Sequence, residues 1–258
     1  MASNLERLFG LRGRIALVTG SSAGIGCALA LGLAEAGARV VINGRSADKV
    51  DEVVSQIRAV GGNADAAVFD VTDGEAVRAG VAQIEADLGP IEILVNNAGI
   101  QRRMPLEDFP EETWRALMAT NLDSVFLVGQ AVARAMIPRG RGRIINICSV
   151  QSELARPGIA PYTASKGAVK MLTKGMATDW GKHGIRVNGI GPGYFRTPLN
   201  KALVEDEKFS AWLTARTPVG RWGEVEELVG AAIFLASDAS SFVNGHVLYV
   251  DGGITSSI

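Results

Sequence analysis

The sequence predicts an α/β fold: one doubly wound parallel sheet of about seven strands flanked by helices. Three observations predict it. Short apolar runs alternate with helix-forming stretches from one end of the 258 residues to the other. The runs lack the strict polar/apolar alternation of a half-exposed strand, which suits strands covered on both faces. Gly, Pro and Asn gather between the runs, where turns must form.

Arg14 to Thr19 reads as the first strand, and Ile25 to Ala36, rich in Ala and Leu, as a helix ending at Gly37. The unit then recurs. Arg39 to Asn43 is strand-like, Ala47 to Ala59 helical, Ala64 to Phe69 strand-like, and Asp73 to Leu88 helical with Gly89-Pro90 as its stop. Ile91 to Val95 makes the fourth strand, and one long helix is expected from Glu111 to Ile137. Gly142 to Cys148 and Ile185 to Ile190 read as strands separated by a helix from about Tyr162 to Trp180. The helix Val225 to Ala236 and the strand Val247 to Val250 close the series. Right-handed crossovers turn this order into a Rossmann-type sheet, with ligands at the carboxyl ends of the strands where the winding reverses. The expectation is a single domain over 1–258, in which the weakly patterned stretch 191–223 covers the substrate.

Composition narrows the function classes. Hydrophobic residues make up 47% and charged residues 21%, the balance of a globular domain with a substantial core. A formal net charge of -1, with Lys and Arg spread along the chain, leaves no footprint for nucleic acid or an anionic membrane. Met1-Ala2-Ser3-Asn4-Leu5-Glu6-Arg7 lacks the apolar core of a signal peptide, and no later run reads as long enough to span a bilayer, so the expected location is the cytoplasm. Cys27 and Cys148 lack the spacing of a disulfide framework or a zinc site, and His183 and His246 stand alone, so no metal is expected.

Small-molecule chemistry remains, and the strand ends carry it. After the first strand comes Thr19-Gly20-Ser21-Ser22-Ala23-Gly24-Ile25-Gly26, whose glycines let the backbone approach a pyrophosphate at the next helix's N-terminus. A tight strand-to-helix turn calls for glycine in any case, so its place in the first βα unit is what points to a cofactor. The second strand ends in Asn43-Gly44-Arg45 instead of the acid that usually holds an adenosine ribose. Arg45, with Ser21 or Ser22, suits a 2'-phosphate and favours NADP(H), the alternative being a solvated loop arginine. Tyr162 and Lys166 stand four apart, one turn of helix, so a phenol and an ammonium share a face. A free phenol titrates near 10, so a phenolate useful near neutrality needs a shift of roughly two units, and an ammonium acts in that sense. Ser149, at the end of another strand, could hydrogen-bond the reacting oxygen.

Thr19 to Gly26, Asn96-Asn97-Ala98-Gly99, Asn121, Ser149, Tyr162 and Lys166 together resemble the short-chain dehydrogenase/reductase superfamily over essentially the whole chain. The resemblance implies that Tyr162 is the acid/base, that Ser149 orients substrate, that Lys166 binds the nicotinamide ribose and tunes Tyr162, and that Asn121 supports a proton-relay water. It implies that Asp70 and Val71 meet the adenine, that Asn97, Ala98 and Gly99 line the cofactor, and that Pro192, Gly193 and Thr197 contact the nicotinamide end. Ala23 stands where NADP-using relatives commonly carry a basic residue, which leaves NAD(H) open. A homotetramer built through the helices after strands four and five and the C-terminal strand is implied as well, with Asp251-Gly252-Gly253 part of the likeness.

Within the superfamily, Ala98 to Arg103, Ile147 to Arg156 and Gly191 to Phe195 resemble the gluconate 5-dehydrogenases, which implies a sugar-acid substrate. Arg103 is positioned to clamp its carboxylate, and Gln151, Glu153 and Arg156 to read its hydroxyls, where a fatty acyl group would call for an apolar lining. The alternatives are a 3-oxoacyl thioester or another sugar acid on the same chemistry, and a non-catalytic dinucleotide-binding sensor on the same fold.

Overall fold

The computed structural model describes residues 3–257; residues 1, 2 and 258, at the two ends of the single-domain expectation, lie outside the described residues. The N-terminal helix α1 (Asn4–Phe9) is capped by Ser3, whose hydroxyl accepts from the Glu6 N–H at 3.1 Å. The alternation then follows as β1 (Ile15–Val18), α2 (Gly24–Glu35), β2 (Arg39–Gly44), α3 (Ala47–Ala59), β3 (Asn63–Val68), α4 (Gly74–Asp87) and β4 (Ile91–Asn96). It continues as α5 (Glu111–Met118), α6 (Ser124–Arg139), β5 (Gly142–Ile147), α7 (Ala160–Trp180), β6 (Ile185–Pro192), α8 (Lys201–Val204), α9 (Glu207–Arg216), α10 (Val229–Ala236) and β7 (Val247–Val250).

The sheet runs β3-β2-β1-β4-β5-β6-β7, every pairing parallel. The winding therefore reverses between β1 and β4, where Val18 lies opposite Val95. Successive side chains of one strand point to opposite faces, so β1 feeds both cores. Ala16 and Val18 pack with Leu29 and Leu33 of α2, Val54 of α3 and Leu235 of α10. Ile15 and Leu17 pack with Val81 of α4, Val128 and Met136 of α6 and Val169 of α7. Each such buried aliphatic side chain contributes about 1.5–3 kcal/mol, so the two cores anchor the strand ends that build the site.

Three expectations need correcting. The long helix is interrupted by one π turn, Ala119–Asp123, between α5 and α6. Its hydroxyls bind back along the helix, Thr120 Oγ1 to the Ala116 carbonyl at 2.8 Å and Ser124 Oγ to the Thr120 carbonyl at 2.6 Å, which loosens the regular ladder there. With its π turn, this continuous 29-residue helix is long and apolar enough to cross a membrane by length and composition, contrary to the sequence reading. Half of its most apolar window is buried, against β4 and α4, which makes it a core helix of this fold. Third, the weakly patterned stretch 191–223, given no element by the sequence, holds two helices. Its first residues finish β6, and α8 and α9 carry a cluster of their own in which Leu213 and Trp222 are buried with Val150 and Ile254.

Candidate active site

A cleft of about 620 Å³ runs along the carboxyl ends of β1, β2, β4, β5 and β6. Its floor is the turn after β1. Gly20 has φ +59, and a Cβ there would stand 2.8 Å from the Ala98 Cα, so only glycine admits this approach of two loops. Thr19 and Asn97 tie the same loops together: the Asn97 N–H donates to Thr19 Oγ1 at 3.0 Å, and the Asn97 amide donates to the Thr19 and Gly20 carbonyls. The turn thereby presents Ser22, Gly24 and Ile25 to the cleft at the N-terminus of α2, where unpaired N–H groups favour an anion. Ser21 and Gly26 do not line the cleft. The buried Ser21 hydroxyl donates to the Val18 carbonyl and accepts from the Asn43 N–H, pinning the turn to β2. Gly26 is there for packing, since its Cβ would come within 2.4 Å of Asn97 Nδ2.

At the far end of the cleft, Asn43 lines the wall but its amide is spent on the backbone, accepting from Gly20 and donating to Ala67 and Phe69. Arg45 is exposed and stands 3.8 Å from Asp70. Burial raises the Asp70 carboxyl, but two hydrogen bonds from Thr72 and the Arg45 charge outweigh it and hold the group below its ordinary value. Val71, an exposed guanidinium and a carboxylate held by Thr72 thus line this end of the cleft.

The near end is catalytic in character. Ser149 caps the turn after β5, its Oγ accepting from the Gln151 N–H at 3.1 Å, which leaves its own proton to donate. Tyr162, on the first turn of α7, is partly buried and lines the cleft. Burial pushes its phenol up to about 12, while contact with Ser149 and the Arg103 charge draw it down. Lys166, one turn on, donates to the Ile147 carbonyl at 2.7 Å, and its Nζ stands 5.8 Å from the Tyr162 ring centroid. Burial pushes Lys166 down to about 8. In the chain alone burial dominates the Tyr162 phenol, and the Lys166 ammonium meets it across the ring face. Asn121 lies just behind, its amide oxygen accepting from the Ile100 N–H at 2.7 Å and its nitrogen donating to the Ile100 carbonyl and Ser165 Oγ. The π turn aims Asn121 at the loop after β4, which it holds in place without lining the cleft.

Arg103 enters from that loop and donates to Asn200 Oδ1 at 3.2 Å. Burial and the neighbouring Arg156 both disfavour its charge, so an anion between them would relieve the guanidinium pair. Gln151 faces the cleft, as do Pro192, Gly193 and Thr197 on its β6 side. Glu153 does not. It is held outside by Lys170 and by the Tyr249 hydroxyl, which donates to it at 2.7 Å, and these contacts lower its carboxyl. Tyr194 and Asn200 line the cleft unforeseen. Tyr194 had a signal, its place just past a strand's carboxyl end, whereas Asn200 sits in a short turn with none. Among the described residues no three His, Cys, Asp or Glu side chains gather as metal ligands would, and Cys148, buried beneath Ser149, is pushed up to about 11 by desolvation.

Known proteins share this layout. A gluconate 5-dehydrogenase from Gluconobacter oxydans (strain 621H) is 67% identical over 97% of this chain and 98% of its own length. A 5-keto-D-gluconate 5-reductase from Escherichia coli (strain K12) is 55% identical over 97% of this chain and 98% of its own length. The crystal structure of a gluconate 5-dehydrogenase from Burkholderia cenocepacia J2315, in complex with NADP and tartrate, superposes with a TM-score of 0.97 at 62% identity, covering 99% of this chain and 100% of that one. The family described as enoyl-(acyl carrier protein) reductase matches residues 20–255. With a reversed winding point that carries a glycine turn, and a tyrosine and lysine stacked beside a strand-end serine, the chain belongs to that family of the short-chain dehydrogenase/reductase superfamily and is an oxidoreductase.

Proposed function

We propose that this protein interconverts D-gluconate and 5-dehydro-D-gluconate with NADP(H), Tyr162 serving as acid/base. The observation that carries the proposal is the partly buried Tyr162 and the buried Ser149 lining the same cleft as Arg103, a guanidinium paired with no carboxylate among the described residues. Relatives named for the two directions of this reaction, at 67% and 55% identity, support it. When bound, a nicotinamide would supply the hydride chemistry at carbon five and, oxidised, a positive charge favouring the Tyr162 phenolate.

The chain's own groups do the rest. Tyr162, protonated at neutral pH, gives its proton to the carbonyl oxygen as that oxygen becomes a hydroxyl; in reverse it takes the hydroxyl proton. Ser149 donates to the same oxygen and fixes its position. Lys166, anchored on the Ile147 carbonyl, reaches toward the ribose side. Ser22, Gly24, Ile25 and the α2 N-terminus would hold a pyrophosphate, Asp70 and Val71 the adenine, and Arg45 a 2'-phosphate, the basis for preferring NADP(H) over NAD(H); the Burkholderia relative was solved with NADP. Arg103 clamps the carboxylate. A cytoplasmic homotetramer fits Trp114, Phe126 and Met171, which leave 40%, 46% and 60% of their surface exposed on the helices that follow β4 and β5.

Oxidation of NADPH and NADH, measured side by side with 5-dehydro-D-gluconate, tests the proposal. Turnover with NADPH preferred is expected. Arg103→Ala should lose about 2 kcal/mol or more in kcat/KM, as removal of a charge-assisted contact does. A variant as efficient as the parent would contradict the clamp.

A further inference from the structure

Resting on that reading, we infer that Gln151, Arg156 and Tyr194 form one substrate-reading unit centred on the Tyr194 hydroxyl, which makes the site selective for a polyhydroxy acid over a neutral sugar. The Tyr194 oxygen accepts from Arg156 Nε at 3.1 Å and from Gln151 Nε2 at 3.3 Å. Two donors on one phenol oxygen leave its own proton as the outgoing bond, and no protein acceptor takes it among the described residues. Gln151, only 6% exposed, lines the cleft and turns its nitrogen to Tyr194, which leaves its Oε1 buried and without a partner. An unpaired buried carbonyl is costly unless something bonds it, and here a substrate hydroxyl is the donor that fits. Arg156 spends Nε on Tyr194 and lays its guanidinium over the Phe209 ring at 5.3 Å. No carboxylate pairs with it among the described residues.

The unit therefore offers an O–H, a guanidinium and an amide oxygen on one side of the cleft, and Arg103 faces them with a second guanidinium. Donors of this strength match a carboxylate, and the single acceptor matches a hydroxyl on a neighbouring carbon. Tyr194 does not touch the reacting carbonyl. It is a positioning residue for Arg156 and Gln151 and a direct donor to the acid end.

Tyr194→Phe tests this, since it removes only the hydroxyl and keeps the ring packed against Phe209 and Trp222, at 5.8 and 5.9 Å between centroids. Steady-state kinetics with NADPH are measured for parent and variant on 5-dehydro-D-gluconate and on an uncharged ketohexose. The variant should raise KM for the keto acid by about tenfold or more, leave KM for NADPH unchanged, and shrink the parent's preference for acid over ketose by the same factor. Arg156→Lys, which keeps the charge and loses the Nε contact, should move the preference in the same direction and add little in the double variant. A parent that reduces the ketose and not the acid would overturn the functional proposal and this inference together. A parent that reduces the acid, with a Tyr194→Phe preference unchanged or with both substrates weakened equally, would overturn the inference alone.

Discussion

Lys166 shows how a single residue trades stability for chemistry. Its ammonium is buried on one carbonyl, and desolvation lowers it from an ordinary value of 10.5 to about 8. Below pH 8 the folded and unfolded chains both carry the proton, and the folded state bears the full penalty. Between about 8 and 10.5 the unfolded chain holds the proton and the folded chain does not, so stability rises with pH until both are neutral. Lys166→Met should therefore be inactive yet more stable than the parent at pH 7, by about 2–3 kcal/mol, with the gain shrinking as pH climbs through that window. Thermal melts across pH check it; a variant less stable than the parent at pH 7 would contradict the assigned penalty. Glu153 marks the opposite lesson. It follows Ser149 closely in sequence and so reads as a substrate contact, but Lys170 and Tyr249, on two other elements, draw it out of the cleft. Sequence proximity to a catalytic serine says nothing of partners that only the fold assembles.

At the scale of elements, the strands and most helices were legible because burial imposes the pattern that identifies them. β1 is covered on both faces and is a continuous apolar run, and α3 and β7 occur where their periodicity and flanks put them. Asp73, read as the first residue of a helix, is its N-cap, accepting from the Glu75 and Ala76 N–H groups. The π turn was not legible. Ala119 to Asp123 fit an α-helix by composition, and the turn arises from hydroxyls competing for carbonyls and from the pull of Asn121 on Ile100. The region after β6 hid two helices because their apolar residues pack on a local aromatic group of Tyr194, Phe209, Trp212 and Trp222, apart from the two main cores. That packing also explains why no role of its own was legible for Tyr194 in the sequence: its ring belongs to this small core while its hydroxyl meets Gln151 and Arg156.

Over the whole molecule, the parallel sheet collects loops distant in sequence into one cleft, lined by the glycine turn after β1, by Arg45, Asp70 and Val71, and by Ser149 and Tyr162. The exposed apolar residues on α5, α6 and α7 belong to the same scale. For a chain of 27.1 kDa, light scattering should report about four chain masses, and a monomer at micromolar concentration would contradict the proposed assembly. The central claim is that Tyr162 moves the proton in a nicotinamide-linked reduction of a keto sugar acid. The most direct measurement compares the initial rate of NADPH oxidation with 5-dehydro-D-gluconate between the parent and Tyr162→Phe at matched cofactor saturation. The parent should turn over briskly and the variant lose roughly 10²–10⁴-fold or more, with NADPH binding retained. A variant that keeps the parent's rate, or a parent that binds NADPH without consuming it, would contradict the account.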